Sequence, residues 1–548
     1  MDNSWGSVDA AVELVPIEVR VPPGYWRRDD THLPLPLTPL SASVMDSDAG
    51  FGAACAEFGL LVVPRITEIG GWWYTSMQPV GAPPDARTPP GWLLPWLLRL
   101  SGEGRKRMRR SREVARTGFA EQVVTEWHVE TLPGYERRIS ALRDTDLTTL
   151  DIEDLARHLE AVRQLTSDGW HTHFRTNVAH LLALGELSAL CRGLLGWGQP
   201  QIQRLFAGLS FRSTEPARKL RALAGTTENS LEFNEFAHVY GCRSMTMELA
   251  DPTLGEVPGL LWSLLRDRQA KGYHPEEDSI ELQRQREEAA AEARAELRDK
   301  DLASFDAALD RMTRAYPIRE DNVFFTLDAP NALCRYAALE AGERLAGRGQ
   351  IDATEDVFFL RVEEVLAALR DGEDRRAVVT ANRGRHEWAL ANPGPRAYGR
   401  EAQPPSTRWL REDLRVTMES MLLVADHVLA MDQSNRTQPV TSKKLTGVPG
   451  APGRYRGPVR MITSERDFDR FAAGDVLVCR STRPSWSVLF PAVGAIVTDA
   501  GGALSHPAII AREYRIPAVV ATGSATSCLR DGQIVTVHGD RGIVEVES

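Results

Sequence analysis

The stretch TDAGGALSHPAIIARE, residues 498–513, sets His506 behind two glycines and a serine and directly before a proline. Proline suits the start of a helix because its missing N–H would have no intrahelical partner there, so this spacing predicts a helix beginning beside His506. Gly501 and Gly502 permit a tight turn that is expected to leave the imidazole exposed. The free N–H groups of a first helical turn also favour an anion. An unperturbed imidazole is largely neutral and nucleophilic at neutral pH, and it exchanges protons readily. The residue types therefore point to two chemistries, covalent carriage of a phosphoryl group and general acid–base catalysis.

Such a turn needs strands to carry it. GPVRMI, DVLVCR, GAIVTD, AVVAT, QIVTVHG and GIVEVE are short, β-branched and separated by turn residues, with PAIIAREY as a helix among them. This pattern predicts a compact α/β domain over residues 448–548. Residues 93–431 read instead as a largely α-helical substrate-binding domain, with apolar positions recurring at three- and four-residue spacing. Within them 276–311 combine strong helix formers with opposite charges at i,i+4, as a long exposed helix or one arm of a helical hairpin. Residues 1–92, rich in proline and aromatics, read as an irregular or partly stranded N-terminal part of the same domain. Residues 432–447 are polar, charged and proline-containing, as expected of a linker on which the histidine domain swings.

Composition narrows the partners. The 548 residues are enough for several domains, and 43% hydrophobic with 26% charged residues is ordinary for a globular protein, which argues against wholesale disorder. A net charge of −10 argues against nucleic acid, which requires a concentrated basic surface. The basic run GRKRMRRSREVAR, 104–116, reads as a solvated helix face. Six scattered cysteines without a CxxC pair fit reduced thiols and a cytoplasmic location. Neither a signal peptide nor an apolar run of about 18 residues is present, so no membrane insertion is expected.

Residues 475–546, with the core GGALSHPAIIARE followed by IPAVV, resemble the swivelling phosphohistidine domain of the PEP-utilising enzymes. That group includes PEP synthase, pyruvate phosphate dikinase and rifampicin phosphotransferase. The resemblance implies that His506 is the phosphorylated residue, that Gly501, Gly502 and Ser505 shape its loop, and that Thr482, Arg483 and Trp486 of STRPSWSVLF face it. Upstream, WRRDDTHLPLPLTPL, FNEFAHVYGCRSMTMELADPTLGEVP and REDNVFFTLDAPNALCRYAALEAGERLAGRGQIDATEDVFFLRVEEV resemble the substrate-binding middle domain of rifampicin phosphotransferase-like proteins. This adds Arg243, Glu248, Arg319 and Glu320 as candidates for charge stabilisation and acid–base work. The family's Arg-Glu-x-x-Lys stretch reads here as Arg319, Glu320, Asp321, Asn322, Val323, with valine at the lysine position.

Nothing in the sequence resembles the ATP-grasp domain that loads the histidine or the barrel that handles PEP. The expectation is an enzyme with no tightly bound cofactor and no metal, using ATP only through a separate ATP-grasp subunit and phosphorylating a hydroxyl of a small natural-product-like molecule. The alternative is an ATP-independent dehydratase, lyase or isomerase in which His506 is a general acid or base, with Glu248 or Glu320 as the complementary carboxylate. A third reading is a non-catalytic ligand-binding protein. His171 and His173, two apart on one helix, point to different sides and read as packing residues rather than a metal pair. His128 and His238 read as ordinary helix residues, His538 as a turn residue, and Trp72, Trp73, Trp92 and Trp96 as core or pocket lining.

Overall fold

A computed structural model describes residues 12–547 except 31, 46, 210–214, 216–217, 220–221, 224–225, 228–229, 260–261, 263–274, 402–405, 412–413, 416–417, 420–443, 463–464, 483–485, 487–489 and 503–504. The chain is multidomain: a largely helical part is followed by a C-terminal α/β part.

The helical part is organised around Ile152–Leu195, a helix of 44 residues. Asp151 caps its start by accepting from the Asp154 N–H, and Gly196, with φ 65°, ends it in the left-handed conformation that glycine adopts without strain. Leu155, Leu159, Val162, Leu165, Val178 and Leu184 along it are buried in one apolar core shared with helices Ser47–Glu57, Asp299–Ala315 and Ala329–Gly347. The charged stretch 276–311 is two helices, Pro275–Glu296 and Asp299–Ala315, broken at Leu297 and Arg298 and tied by Arg294 to Asp306 at 2.8 Å.

The N-terminal residues are more regular than their proline content suggests. Val62–Ile69, Trp72–Pro79, Trp26–Arg28 and Ala397–Tyr398 form an antiparallel four-stranded sheet in that order. Trp26 pairs with Tyr398, so the two ends of the helical part are joined in one sheet. Trp72 is in its small core, as expected, whereas Trp92 and Trp96 are exposed rather than in a core or pocket.

All six expected C-terminal strands form, in an eight-stranded sheet. Its order is Lys444–Thr446, Ile543–Val546, Ile534–His538, Arg454–Met461, Val476–Cys479, Ala495–Thr498, Ala518–Val520, Val448–Ala451. The two additional strands lie in the Gly- and Pro-rich stretch and occupy the sheet's edges, where a proline such as Pro449 removes no central ladder bond. Residues 444–447 of the expected linker are thus strand or strand connection, while 432–443 lie outside the described residues.

Arg454–Met461, Val476–Cys479, Ala495–Thr498 and Ala518–Val520 run parallel as successive neighbours, and helix His506–Glu513 crosses from the third to the fourth. This helix lies against the helical part. Ile509 enters the helical core, and Ile510 and Tyr514 share an apolar cluster with Phe233, Phe236, Met245 and Leu254.

Candidate active site

Gly501 has φ +109°, where a side chain would be strained, and an added Cβ would stand 2.7 Å from Ser505 Oγ. Ser505 folds back so that its N–H and hydroxyl both donate to the Gly502 carbonyl, at 3.0 and 2.7 Å. His506 is therefore the first residue of its helix. Its imidazole is not exposed, contrary to the expectation from the turn alone. The helical part covers it and leaves 9% of the side chain accessible.

Two contacts orient the ring. Nδ1 lies 3.1 Å from Thr482 Oγ1, and Nε2 faces Glu320 Oε2 at 3.5 Å. Thr482 is itself buried, and Phe490 packs on the ring with centroids 5.9 Å apart. Arg480 holds this loop beside the turn by its carbonyl, which accepts from the Ala500 N–H at 2.8 Å.

Glu320 and Arg319 come from helix Ile318–Val323, with Arg319 Nε 3.8 Å from Glu320 Oε1. Arg243 stands over the Phe324 ring at 4.7 Å, with its Nε 3.5 Å from Asp328. Burial pushes the Glu320 carboxyl up to about 7, a rise that Arg319 and Arg243 only partly offset. Burial, aided by the same two arginines, lowers His506 to about 3. At neutral pH the imidazole is uncharged and the carboxyl is poised to gain or lose a proton.

The placement of Glu320 depends on a helix–helix contact the sequence does not advertise. After Val323 the chain makes a π-helical turn, Phe324–Asp328. It is seated where Gly169 of the long helix lets the Thr326 carbonyl approach, because a Cβ at Gly169 would lie 2.0 Å from that oxygen. Asn322, fully buried, closes a circuit: Asn177 Nδ2 donates to His173 Nε2 at 3.0 Å, His173 Nδ1 donates to Asn322 Oδ1 at 2.9 Å, and Asn322 Nδ2 returns to Asn177 Oδ1 at 3.2 Å. Burial lowers His173 to about 4, which keeps it in the neutral form this circuit requires.

The structure thus brings together His506, Thr482, Ser505, Gly501, Gly502, Glu320, Arg319 and Arg243. Glu248 is engaged elsewhere: its carboxylate accepts from Thr38 N–H, Thr38 Oγ1, Ser41 Oγ and Ala250 N–H at 2.6–2.8 Å, fastening the start of helix Pro39–Val44. With its oxygens engaged there and not at the imidazole, Glu320 takes the place expected for either carboxylate. Arg483 lies outside the described residues. His171 is exposed, while His128 and His238 contact the Arg314 carbonyl and Asp144. Among the described residues no cluster of three or more His, Cys, Asp or Glu side chains could hold a metal. The sequence reading missed Asn322, Asn177 and the role of His173, as well as the ion pair of Arg480 with Asp30 at 2.9 Å that joins the two parts of the chain. A small cleft in the helical part is lined by Ser41, Val44, Met45, Trp170, Met247 and Asn331.

Residues 471–542 match the family described as PEP-utilising enzyme, mobile domain, and residues 178–320 match the rifampicin phosphotransferase fourth domain. The first match spans His506 and Thr482; the second spans Arg243 and ends on Glu320, so the two meet at the site. Both matches are to parts of PEP-utilising enzymes and rifampicin phosphotransferases, the group that the sequence resembles. The chain's relatives include the uncharacterized phosphotransferase YvkC of Bacillus subtilis, 33% identical over 62% of this chain and 39% of that protein. The rifampicin phosphotransferase of Streptomyces sviceus is 27% identical over 64% of this chain and 38% of its own length. The chondramide synthase cmdD of Chondromyces crocatus is 28% identical over 76% of this chain and 12% of its length. The chain spans well under half of each of these relatives.

Proposed function

We propose that this chain transfers a phosphoryl group from Nε2 of His506 to a hydroxyl of a small organic acceptor, after an ATP-grasp unit outside these 548 residues has loaded the imidazole. The observation that carries this reading is the opposition of Nε2 to Glu320 beside Arg319 and Arg243, with Nδ1 occupied by Thr482. The acceptor oxygen attacks phosphorus, the O–P bond forms as the N–P bond breaks, and the hydroxyl proton passes to the Glu320 carboxylate. The imidazole leaves neutral, keeping its proton on Nδ1, from which it donates a hydrogen bond to Thr482 Oγ1. The arginines supply the positive charge that phosphoryl transfer requires. With Val323 at the family's lysine position, these two cations carry that role.

One observation favours a second reading. A carboxyl near pH 7 facing a neutral imidazole is also a proton-transfer pair, suited to an ATP-independent dehydration or isomerisation. Chemical loading separates the two. Treating the protein with phosphoramidate places phosphate on accessible histidine without ATP, and phosphorus NMR then follows its fate against a panel of hydroxylated compounds. Transfer to an acceptor that is abolished in His506→Ala supports phosphotransfer. Loss of water from a compound without any phosphate, again dependent on His506, selects the second reading.

A further inference from the structure

The feature that the reaction site does not use lies on the surface. Around helix Leu94–Leu100, Trp92, Trp96, Leu97 and Leu100 are exposed by 58, 63, 45 and 78%, while Leu98 alone is fully buried, against Leu410 and Leu414. Trp409, 48% exposed, belongs to the same patch, since a Cβ on Gly91 would meet its ring at 2.9 Å. Trp92, Trp96 and Trp409 are all the exposed tryptophans among the described residues.

Cations rim the patch. Arg99 lies over Trp96 at 5.6 Å and Arg408 over Trp409 at 4.9 Å. Arg105 reaches back to the carbonyls of Arg99 and Leu100, at 2.8 and 3.1 Å, which places its guanidinium at the foot of the tryptophan helix. From there Arg105, Arg109, Arg112 and Arg116 follow at i, i+4, i+7 and i+11 along one exposed face of helix Gly102–Thr117. The opposite face buries Arg107, Ser111 and Val114. The helix's two acids, Glu103 and Glu113, are taken up by Arg107 and Arg110.

We propose that this surface docks the protein on an anionic phospholipid bilayer, with the tryptophans and Leu100 seated at headgroup depth and the arginine stripe lying on the phosphates. A stripe of four arginines on a chain of net charge −10 selects an anionic partner. Its continuity with three exposed tryptophans, Trp96 on helix Leu94–Leu100, Trp92 just before it and Trp409 in the turn Thr407–Trp409 beside it, fits a bilayer interface better than an acidic protein. Such docking is peripheral and independent of the reaction proposed above.

Co-sedimentation of the full chain with vesicles tests it. Vesicles of phosphatidylglycerol and phosphatidylcholine in equal parts are expected to bind the protein at low salt, with blue-shifted tryptophan emission, and phosphatidylcholine vesicles are not. Arg109→Ala and Arg112→Ala should each weaken binding about fivefold, and Trp92→Ser with Trp96→Ser should cut the emission shift by more than half. All four residues are exposed, so circular dichroism should be unchanged in these variants. No binding to anionic vesicles at low salt, equal binding to neutral ones, or variants that bind like the parent would overturn the proposal. Binding of an acidic protein by the same face without vesicle binding would also overturn it.

Discussion

At the scale of single residues, the site turns on how one environment sets two carboxylates apart. Glu248 accepts four hydrogen bonds that fasten it to the start of helix Pro39–Val44, whereas Glu320 is buried against His506 and Arg319, where burial outweighs the arginines and leaves its proton transferable near neutral pH. Both stand close to an arginine in the sequence, Arg243 and Arg319, and nothing local distinguishes them. Glu320→Gln keeps the shape and removes the proton acceptor. It is expected to slow transfer from phosphorylated His506 by about 10²–10⁴-fold while leaving chemical loading with phosphoramidate intact. Quenched-flow release of phosphate to the acceptor measures the rate, and loss of loading together with transfer would count against a base role. Thr482→Val removes the Nδ1 contact at nearly constant volume. It leaves a buried ring nitrogen unpaired, at a cost of about 1–3 kcal/mol, to be read as roughly ten- to hundredfold slower transfer.

At the scale of elements, helix Ile318–Val323, which carries Arg319 and Glu320, is positioned by a glycine. In the long helix Gly169 meets the Thr326 carbonyl, whereas Gly193 of the same helix has open space where a Cβ would go. Gly169→Ala must push the π-helical turn away and is expected to destabilise the protein by about 1–3 kcal/mol and slow transfer. Gly193→Ala should stabilise it by about 0.4–1 kcal/mol through helix propensity and reduced unfolded-state freedom, with transfer unchanged. Thermal unfolding of the two variants side by side checks both signs. The same contrast explains what was legible beforehand. The six strands and the helix after His506 are encoded locally by β-branched runs, turn residues and Pro507, and they form where expected. The close approach at Gly169, the Asn322–His173–Asn177 circuit and the burial of His506 arise from residues far apart in sequence, so no local pattern carries them. The two edge strands were hidden differently, because Gly and Pro read as turns but are tolerated where a sheet has one unpaired side.

At the scale of the whole molecule, the proposed function requires the histidine domain to leave the helical part and return, and that docking is linked to protons through two titrating groups that oppose each other. Docked, His506 sits at about 3 against an ordinary 6.5, so below pH 6.5 docking must release a proton from the ring, and falling pH disfavours it. Docked, Glu320 sits at about 7 against an ordinary 4.5, so between those values docking takes up a proton, and rising pH disfavours it. From about pH 4.5 to 6.5 the two cancel and docking should be nearly pH-independent; it weakens toward pH 7 through Glu320 and below 4.5 through His506. Single substitutions unmask each slope, because burial and the arginines Arg319 and Arg243 remain to shift the surviving group. In Glu320→Gln, docking should weaken about tenfold per unit as pH falls below 6.5, and in His506→Gln it should weaken about tenfold per unit as pH rises from 4.5 toward 7. Hydrogen exchange of helix His506–Glu513, which docking covers, reads the equilibrium across pH once corrected for intrinsic exchange. Parallel pH profiles in the parent and both variants would show that the His506–Glu320 pair contributes nothing to the domain's seat, which then rests on contacts such as the apolar cluster, the Arg480–Asp30 pair and the Arg512–Gln203 hydrogen bond.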